Sequence, residues 1–373
     1  MSQNTSKKTV QNLLALAEVQ IDGTNPWDIT VHDDRFYQRV LSEGTLGLGE
    51  SYMDGWWDCD KIDVLFYKLI MADLQSKARK KGLLWGIVKA KLFNLQSRQR
   101  ALKDIQAHYD VGNDLYQKML DKRMVYTCAY WKNATNLDDA QEAKLDLVCK
   151  KIGLQPGMKV LDIGCGWGSW AKYAAEKYGA EVVGVTLAEE QVKLGQELCQ
   201  GLPVEIRLQD YRDVTGRFDH IVAIGVFEHI GPRNYRTFMS KASELLADDG
   251  LLLVHTIGAP KVVRYPEPWS KKYIFPNAVL PAAQQIIEAS EPYFMFEDWH
   301  NFGSYYDQTC MAWYENIQPH WEELSDRYDE RFQRMWNYYL LHNAGASARS
   351  RKNNLWQIVF SKHGVPGGYQ SVR

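Results

Sequence analysis

Glycines and a carboxylate gather where one short apolar run of this chain ends and a helical stretch begins. Val160-Leu161-Asp162-Ile163 reads as a buried strand, Gly164-Cys165-Gly166-Trp167-Gly168 as a tight turn, and Ser169 to Tyr178 as a helix. Glycine lets a backbone approach a ligand closely, and the first turn of a helix offers N–H groups without intrahelical partners. The spacing is G-x-G-x-G, which differs from the G-x-G-x-x-G of dinucleotide-binding turns. The pattern predicts a cofactor turn; tight packing of strand on helix is the alternative structural explanation.

Polar residues also follow the next strand candidates along the chain: Thr186 and Gln191, then Asp210-Tyr211-Arg212, then Glu228, then His255. Parallel strands bring their carboxyl ends to one edge of a sheet, where ligands bind. Thr186 stands where nucleotide-cofactor enzymes usually place an acidic residue, and capping of the next helix is its structural alternative. A lone histidine at a strand end commonly satisfies a backbone carbonyl. Because Glu228 and His255 follow adjacent strands, we expect both at the edge of the cofactor.

The elements that must position these side chains alternate from about Val160 onwards. Such alternation is typical of a doubly wound α/β sheet, and its order fits the seven-stranded, Rossmann-like sheet of S-adenosylmethionine (SAM) dependent methyltransferases, whose cofactor turn the glycine motif also resembles. The predicted strands are Lys159–Ile163, Glu181–Val185, Val204–Leu208, His220–Ile224, Leu251–His255, Phe294–Trp299 and Leu355–Phe360. The predicted helices are Ser169–Tyr178, Glu189–Cys199, Tyr235–Leu246 and long stretches from Tyr305 to Leu341. Residues 1–100 lack the alternation and are predicted to form a small, mainly helical N-terminal domain before a catalytic domain at 101–373.

Length and composition limit the function classes. The chain has 373 residues, a formal net charge of −2 and 12% aromatic residues, which fits two domains without a global attraction to nucleic acid or anionic membrane. Six scattered cysteines without a C-x-x-C pair argue against a zinc site or a disulfide framework, and therefore favour a reducing cytoplasm. The N-terminus lacks the apolar core of a signal peptide, and no apolar run approaches the length of a membrane span.

One basic segment stands out at the predicted domain junction. Between Lys77 and Lys103 the chain has nine basic residues and no acidic one, interleaved with apolar residues at near-helical spacing. An amphipathic helix on anionic lipid headgroups would show this pattern. A linker helix with a solvated basic face would show it too. We expect membrane contact here mainly because of the family resemblance that follows.

The combined motifs resemble cyclopropane-fatty-acid-phospholipid synthases and the related mycolic acid cyclopropane synthases. The residues that carry the resemblance are Tyr126–Trp131, Gly164–Gly168, Gly184–Leu187, Phe227–His229, Leu253–Gly258 and Met311–Glu315, with Gly47–Trp57 and Phe93–Ser97 in the N-terminal part. The resemblance thus covers nearly the whole chain. Threonine at position 186, a departure from the generic pattern, is what this family uses.

The resemblance implies an activity. Enzymes of this family add the methyl carbon of SAM across a cis double bond of a phospholipid acyl chain. The alkene attacks the sulfonium methyl, and loss of a proton from the transferred carbon closes the ring. The base is thought to be a bound bicarbonate ion, whose holders here would be Cys128 through its backbone N–H, Glu228, His255, the backbone near Ile257, and Tyr314. A bicarbonate beside Glu228 is chemically reasonable only if it donates its proton to that carboxylate.

By the same resemblance, eight positions are predicted to bind SAM: Tyr126, Thr127, Gly164, Gly166, Thr186, Gln191, Tyr211 and Arg212. The glycine turn and the residues after the third strand add four more predicted cofactor-binding positions: Asp162, Cys165, Gly168 and Asp210. Some members carry a late cysteine proposed as catalytic. This chain has Asn343 at the matching position, which counts against a cysteine nucleophile. The stretch from Ala259 to Pro281, rich in Pro, Trp and Tyr, is predicted to form part of the wall or lid of an acyl pocket, with a plain surface loop as the alternative.

The family also implies partners and location: unsaturated phospholipid of a bilayer, peripheral association with the cytoplasmic face of the inner membrane, and a homodimer. Two alternatives stay open at this point. The first is a SAM-dependent C-, O- or N-methyltransferase of the same superfamily that acts on a lipid or small molecule. The second is a nucleic-acid methyltransferase or binding module that uses the basic segment, against which the near-neutral charge and the absence of a recognised RNA-binding module argue.

Overall fold

The N-terminal part of the chain is mainly helical. The structure, a computed structural model, describes residues 3–73, 111–263, 266–276 and 278–373. Within residues 3–73, four helices flank a two-stranded antiparallel ribbon: α1 (Gln3–Ala15), β1 (Thr30–Val31), α2 (Arg35–Glu43), α3 (Thr45–Met53), β2 (Trp57–Asp58) and α4 (Ile62–Met71). The basic segment Lys77–Lys103, the motif Phe93–Ser97 and the predicted domain boundary near residue 100 lie outside the described residues.

A seven-stranded sheet organises the later part of the chain. Its strands are β3 (Lys159–Ile163), β4 (Glu181–Thr186), β5 (Val204–Leu208), β6 (Phe218–Ile224), β7 (Leu246–Gly258), β8 (Met295–Asn301) and β9 (Asn354–Ser361). The spatial order is β5-β4-β3-β6-β7-β9-β8, with β9 antiparallel to both β7 and β8 and the other pairs parallel. The order reverses between β3 and β6, which makes this the switch point where doubly wound sheets bind ligands.

Helices connect and flank these strands. They are α5 (Asn113–Met119), α6 (Leu137–Lys151), α7 (Ser169–Tyr178), α8 (Glu189–Leu198), α9 (Phe227–Ile230), α10 (Tyr235–Leu245), α11 (Pro268–Tyr273), α12 (Ala283–Ser290), α13 (Tyr305–Ile317), α14 (Trp321–Leu324) and α15 (Glu330–His342), followed by a π-helix (Asn343–Arg349). Local sequence sets their ends. Asn136 caps α6 by accepting a hydrogen bond from the Asp139 N–H, and Gly179 ends α7 in the left-handed conformation. No helix of the described residues is long and apolar enough to cross a bilayer.

The described residues group into two compact units. The first comprises residues 3–73, 266–276 and 306–352, and the second comprises 111–263, 278–305 and 353–373. The first unit therefore includes α11, α13 from Tyr306 onwards, α14, α15 and the π-helix besides the N-terminal part. Its centre is aromatic: Tyr338 packs against Trp269, Phe66 and Tyr52 with ring centroids 4.4, 5.1 and 5.7 Å apart.

The sheet of the second unit is buried on both faces. Leu161 and Ile163 belong to one hydrophobic cluster, and Val160 belongs to another that includes residues of α6 and α7. We call the side of the sheet that carries Val160 the α6 face. Side chains alternate along a strand, so Asp162 of β3 and His255 of β7 lie on the α6 face too. Two chemistry-bearing side chains are thus placed within one buried layer.

The segment from Ala259 to Pro281 is more than a plain loop. Glu267 caps α11 by accepting from the N–H groups of Trp269 and Ser270. The Trp269 ring is buried in the first unit, where its Nε1 donates to Met53 Sδ at 3.3 Å, and a side chain at Gly49 would overlap the ring. A helix and a buried anchor thus order the part that the structure describes. Its predicted place over an acyl pocket stays a prediction.

Candidate active site

The glycine turn between β3 and α7 has the backbone that its sequence predicts. Gly164, Gly166 and Gly168 have φ values of 76°, 57° and 76°, a region that favours glycine. A Cβ at Gly164 would lie 2.7 Å from Val226 Cγ2, whereas a Cβ at Gly166 would meet nothing within 4 Å. Close packing thus explains Gly164, and the open space at Gly166 allows a ligand to approach the backbone. The turn leads into α7, whose N-cap, Gly168, offers no side chain to its first amides.

Asp162 and Cys165 lie behind this turn. The Asp162 side chain is 2% exposed, and its Oδ1 has no hydrogen-bond partner among the described residues. Burial raises the pKa of this carboxyl to about 7, against the opposing influence of Lys144. The Cys165 thiol is also buried and would lie 2.8 Å from a Cβ at Gly184, so Cys165 fills space between β3 and β4.

Thr186 and Gln191 form one buried pair at the end of β4. The Thr186 hydroxyl donates to Gln191 Oε1 at 2.8 Å, and both residues are less than a tenth exposed. Thr186 Oγ1 also accepts from the Ala188 N–H at 3.4 Å, which is a long contact for a helix cap. The hydrogen bond between Thr186 and Gln191, which the sequence suggested for a shared role, is therefore stronger than the contact between Thr186 and Ala188.

Asp210 and Arg212 pair after β5. The Asp210 carboxylate accepts from the Arg212 backbone N–H at 3.0 Å, from its Nε at 2.8 Å and from its Nη2 at 2.6 Å. The Tyr211 ring packs against Phe238 with centroids 5.5 Å apart. The carboxylate is thus held in one orientation by its neighbour, an arrangement suited to a fixed hydrogen-bond acceptor.

The segment Val125–Cys128 carries three predicted site residues. The Tyr126 ring contacts that of Tyr116 at 5.1 Å, and Thr127 Cγ2 would lie 2.6 Å from a Cβ at Gly225, the residue after β6. This places Thr127 at the end of that strand. The buried Cys128 thiol donates to the carbonyl of Ala129 at 3.4 Å, so the sulfur is directed at its own loop.

Glu228 lies on the short helix α9 and is 5% exposed. Its Oε1 accepts from the Ile257 backbone N–H at 2.6 Å, while Oε2 has no partner among the described residues. Burial raises the pKa of the Glu228 carboxyl to about 7, and the Ile257 N–H opposes the increase. Ile257 thus binds Glu228 through its backbone N–H, and the predicted role of the backbone near Ile257 in holding bicarbonate stays a prediction.

His255 lies on the α6 face of β7 and is 1% exposed. Gln357 Nε2 lies 3.3 Å from His255 Nδ1, across the β7–β9 register that pairs these residues. Since an amide nitrogen can only donate, Nδ1 accepts and the proton resides on Nε2. That Nε2 has no partner among the described residues. Burial holds the pKa of His255 well below its usual range, so the ring is neutral.

The comparisons with known proteins decide the family. The family model described as mycolic acid cyclopropane synthetase matches residues 96–358. The chain belongs to this family. It is 52% identical over 98% of its length, and 96% of the relative's, to the cyclopropane-fatty-acyl-phospholipid synthase of Escherichia coli. It is 31% identical to the tuberculostearic acid methyltransferase of Mycobacterium tuberculosis, over 89% of this chain and 82% of that one.

A solved structure agrees with this family. A mycolic acid cyclopropane synthase in complex with SAH and CTAB matches with a TM-score of 0.64 and 31% identity, over 70% of this chain and 98% of that one. The comparisons confirm the predicted family, the α/β fold class and the assignment to SAM-dependent methyltransferases. The predicted site residues stay predictions.

Tyr314, also implied by the family, lies on α13 in the first unit. It is half-buried, burial raises the pKa of its hydroxyl, and its carbonyl accepts from Gln318 Nε2 at 3.1 Å. Its predicted role beside Glu228 and His255 stays a prediction.

The sequence analysis did not identify an aromatic group beside His255. The Phe302 ring lies 5.9 Å from the His255 ring and 5.2 Å from Tyr130, and Tyr305 lies 5.6 Å from Tyr130. Tyr130 is part of a family motif, but nothing in the local sequence pattern links it to Phe302, which lies 172 positions later in the chain. The contact depends on β8 joining the far edge of the sheet.

The sequence analysis also left out two buried polar residues of α6, Gln141 and Lys144. Both are fully buried and hydrogen-bonded to the Val125–Cys128 segment. The available signal was their place among Ala140, Leu145 and Val148 on an otherwise apolar helix face. A lysine in a helix is usually expected to be solvent-exposed, so the burial of Lys144 could not be predicted from its residue type.

Proposed function

We propose that this enzyme transfers a methylene group from SAM across a cis double bond of an unsaturated phospholipid acyl chain, giving a cyclopropane ring and S-adenosylhomocysteine. The observation that carries the proposal is the buried pair of complementary polar atoms at the strand ends, Glu228 Oε2 and His255 Nε2. A neutral histidine that carries its proton on Nε2 suits the binding of an anion, because that N–H can donate to it.

Bicarbonate fits these two atoms. It offers one O–H to the Glu228 carboxylate and acceptor oxygens to the His255 N–H. We expect the Cys128 amide to complete the site, and the Ile257 amide to act through Glu228. When bound, bicarbonate would supply the base for the proton lost on ring closure. Because the pKa of Glu228 is about 7, the carboxylate form, in which both oxygens only accept, predominates when the pH is above neutral.

The chain's own residues would then bind, orient and shield the reactants. An isolated alkene cannot be activated by deprotonation, so alignment with the methyl group and exclusion of water must supply most of the rate increase. The Phe302 ring lies next to His255, and Tyr130 and Tyr305 extend this aromatic group. Such rings would stabilise a developing cation without reacting with it. SAM would be bound by the glycine turn, the Thr186–Gln191 pair and the Asp210–Arg212 region.

Several further features follow from the same proposal. The substrate would be phospholipid in a bilayer, reached by peripheral association with the cytoplasmic face of the inner membrane, and the enzyme would act as a homodimer. The solved relative whose complex includes CTAB supports a pocket for an alkyl chain, since that compound is a long-chain quaternary amine. The basic segment from Lys77 to Lys103 is the proposed contact with anionic headgroups.

The test is an incubation of the purified protein with methyl-labelled SAM and vesicles of an unsaturated phosphatidylethanolamine and phosphatidylglycerol. We expect label in the lipid, a mass gain of about 14 per converted double bond, and upfield cyclopropane protons in the NMR spectrum of the extracted fatty acyl chains. Depletion of bicarbonate from the buffer should slow turnover, and its addition should restore it. Absence of label from the lipid would refute the proposal.

The same experiment separates the second candidate, a lipid C-methyltransferase. The 31% identity to a tuberculostearic acid methyltransferase favours keeping it in the test. A methylated alkene or a methyl branch gives a similar mass gain but no cyclopropane protons. That result would retain SAM chemistry on a lipid and refute ring formation.

A further inference from the structure

Helix α6 holds the segment Val125–Cys128 from one side. Gln141 Nε2 donates to the carbonyl of Thr127 at 2.8 Å and to that of Val125 at 3.3 Å. Lys144 Nζ donates to Thr127 Oγ1 at 2.7 Å. Residues three positions apart share one face of a helix. From this face, α6 binds the main chain of the segment through Gln141 and the Thr127 side chain through Lys144.

The burial of Lys144 is energetically unfavourable. Its side chain is fully buried, and the atom that it contacts belongs to a neutral hydroxyl. Burial lowers the pKa of Lys144 to about 8, while the carboxyl groups of Asp121 and Asp162 oppose that decrease. Moving an ammonium group out of water costs several kcal/mol even in favourable surroundings, and an apolar side chain of similar length would avoid this cost. Stability alone therefore does not explain a lysine at this position.

The contacts of Lys144 lead directly to the strand ends. Its partner Thr127 touches the Gly225 position, and the Gly225 N–H donates to the carbonyl of His255 at 2.8 Å. Gly225 has a φ of 72°, so the backbone there is fixed in a conformation that side chains rarely adopt. Lys144, Thr127, Gly225 and His255 thus form one contiguous set of contacts within the second unit.

We propose that Lys144 is a positioning residue for the bicarbonate site: it fixes Thr127, and with it the backbone of Cys128, and its charge offsets that of an anion bound beside Glu228 and His255. This inference rests on the proposed function, because it assigns Lys144 to the anion that the proposed reaction requires. It adds a residue that lies behind the site rather than in contact with substrate.

The charge of Lys144 would serve the site in two ways. An anion transferred into a buried space needs a compensating positive charge, and Lys144 is a buried cation in the same layer as His255. Lys144 also contributes to holding the pKa of His255 below its usual range, after burial itself. A neutral His255 keeps its Nδ1 free to accept from Gln357, and this hydrogen bond directs the Nε2 proton away from Gln357.

The test measures binding rather than turnover. The full-length protein with SAH bound is titrated with 13C-bicarbonate, and line broadening of the bicarbonate NMR signal gives its dissociation constant. SAH affinity is measured separately by calorimetry. We expect K144M and T127V to weaken bicarbonate binding about 10-fold or more, the size seen when groups behind a ligand are removed. K144M should show little change in SAH affinity, whereas the SAH affinity of T127V is not a criterion because Thr127 is also a predicted SAM-binding position. T127S keeps the hydroxyl and should recover most of the loss.

Lys150 provides the matched control, since it lies on the same helix with its side chain 57% exposed. K150M should bind bicarbonate as the wild type does. Wild-type bicarbonate affinity in both K144M and T127V would overturn the inference. An equal loss of bicarbonate affinity and SAH affinity in K144M would overturn it too. If K144M does not fold, T127V decides, because it keeps the lysine. A wild-type protein that binds no bicarbonate would instead refute the bicarbonate part of the proposed function itself.

Discussion

Replacing Glu228 with glutamine should make the protein more stable at alkaline pH than at acid pH, relative to the wild type. The Glu228 carboxyl has a pKa of about 7 in the folded chain and 4.5 as its reference value, with burial as the main cause. Between these two values the native state holds a proton that the unfolded chain has released. The stabilising contribution of Glu228 is therefore fully present below pH 4.5 and is lost as the pH rises through 7.

The magnitude follows from the same two values. One pH unit of separation is worth about 1.4 kcal/mol, so a pKa raised from 4.5 to about 7 corresponds to about 3 kcal/mol for this 5% exposed group. Glutamine has no charge to bury, and its Oε1 can still accept from the Ile257 N–H. The unfolding free energy of E228Q minus that of the wild type should thus increase by about 3 kcal/mol between about pH 4.5 and about pH 8.

The assay is urea unfolding of both proteins across this pH range, without SAM and in bicarbonate-free buffer, because bound ligands would stabilise the folded state. Other titrating groups are present in both proteins and cancel in the difference. Glu291 is exposed, so E291Q serves as the control for replacing a glutamate by glutamine outside a buried site. Parallel pH profiles for E228Q and the wild type would refute the reasoning that burial raises the pKa of Glu228.

Four further outcomes can be checked. Wild-type turnover should increase as the pH rises through about 7, where Glu228 ionises, and steady-state rates that are flat between about pH 6 and about pH 8 would contradict this. Q357L removes the donor to His255 Nδ1 and should lower kcat about 10-fold with little change in SAH affinity, since the tautomer is no longer fixed; an unchanged kcat would exclude that role. C128A should keep most of its activity because the thiol donates to the carbonyl of its neighbour Ala129 and the predicted role of Cys128 uses its backbone N–H, and a loss as large as that of E228Q would assign the sulfur a direct role. G166A should weaken SAH binding, measured by calorimetry, with a stability loss of about 1–2 kcal/mol from its φ of 57°, and an unaltered affinity would show that the ligand does not approach this backbone.

Local patterns predicted the framework of the sheet well. The bounds of β3, β5 and α7 agree with the sequence analysis. The two strands are short segments with apolar residues that follow glycine and proline turns, and the helix is ended by a glycine. β7 begins five residues earlier than expected. Ala247-Asp248-Asp249-Gly250 has the composition of a turn, yet the chain stays in the strand as Leu246 pairs with Phe218 and the register then shifts.

The parts that could not be predicted depend on contacts between distant positions. The grouping of α11 and residues 306–352 with the N-terminal helices has no local signal. The Glu228–Ile257 hydrogen bond and the burial of Lys144 also arise only when the sheet is assembled. Residue types at strand ends indicated where chemistry would occur, whereas the hydrogen bonds that define donor and acceptor required the folded chain.

The position of β9 between β7 and β8 makes the site dependent on the order of synthesis. Gln357, which selects the tautomer of His255, lies on β9, and it faces His255 only when β9 is paired with β7. On the ribosome, residues 1–340 can emerge while His255 still lacks this partner and β7 still has an open edge. A prematurely terminated chain would therefore carry the glycine turn without a defined proton at His255. Competence for chemistry therefore requires that β9 has already paired with β7.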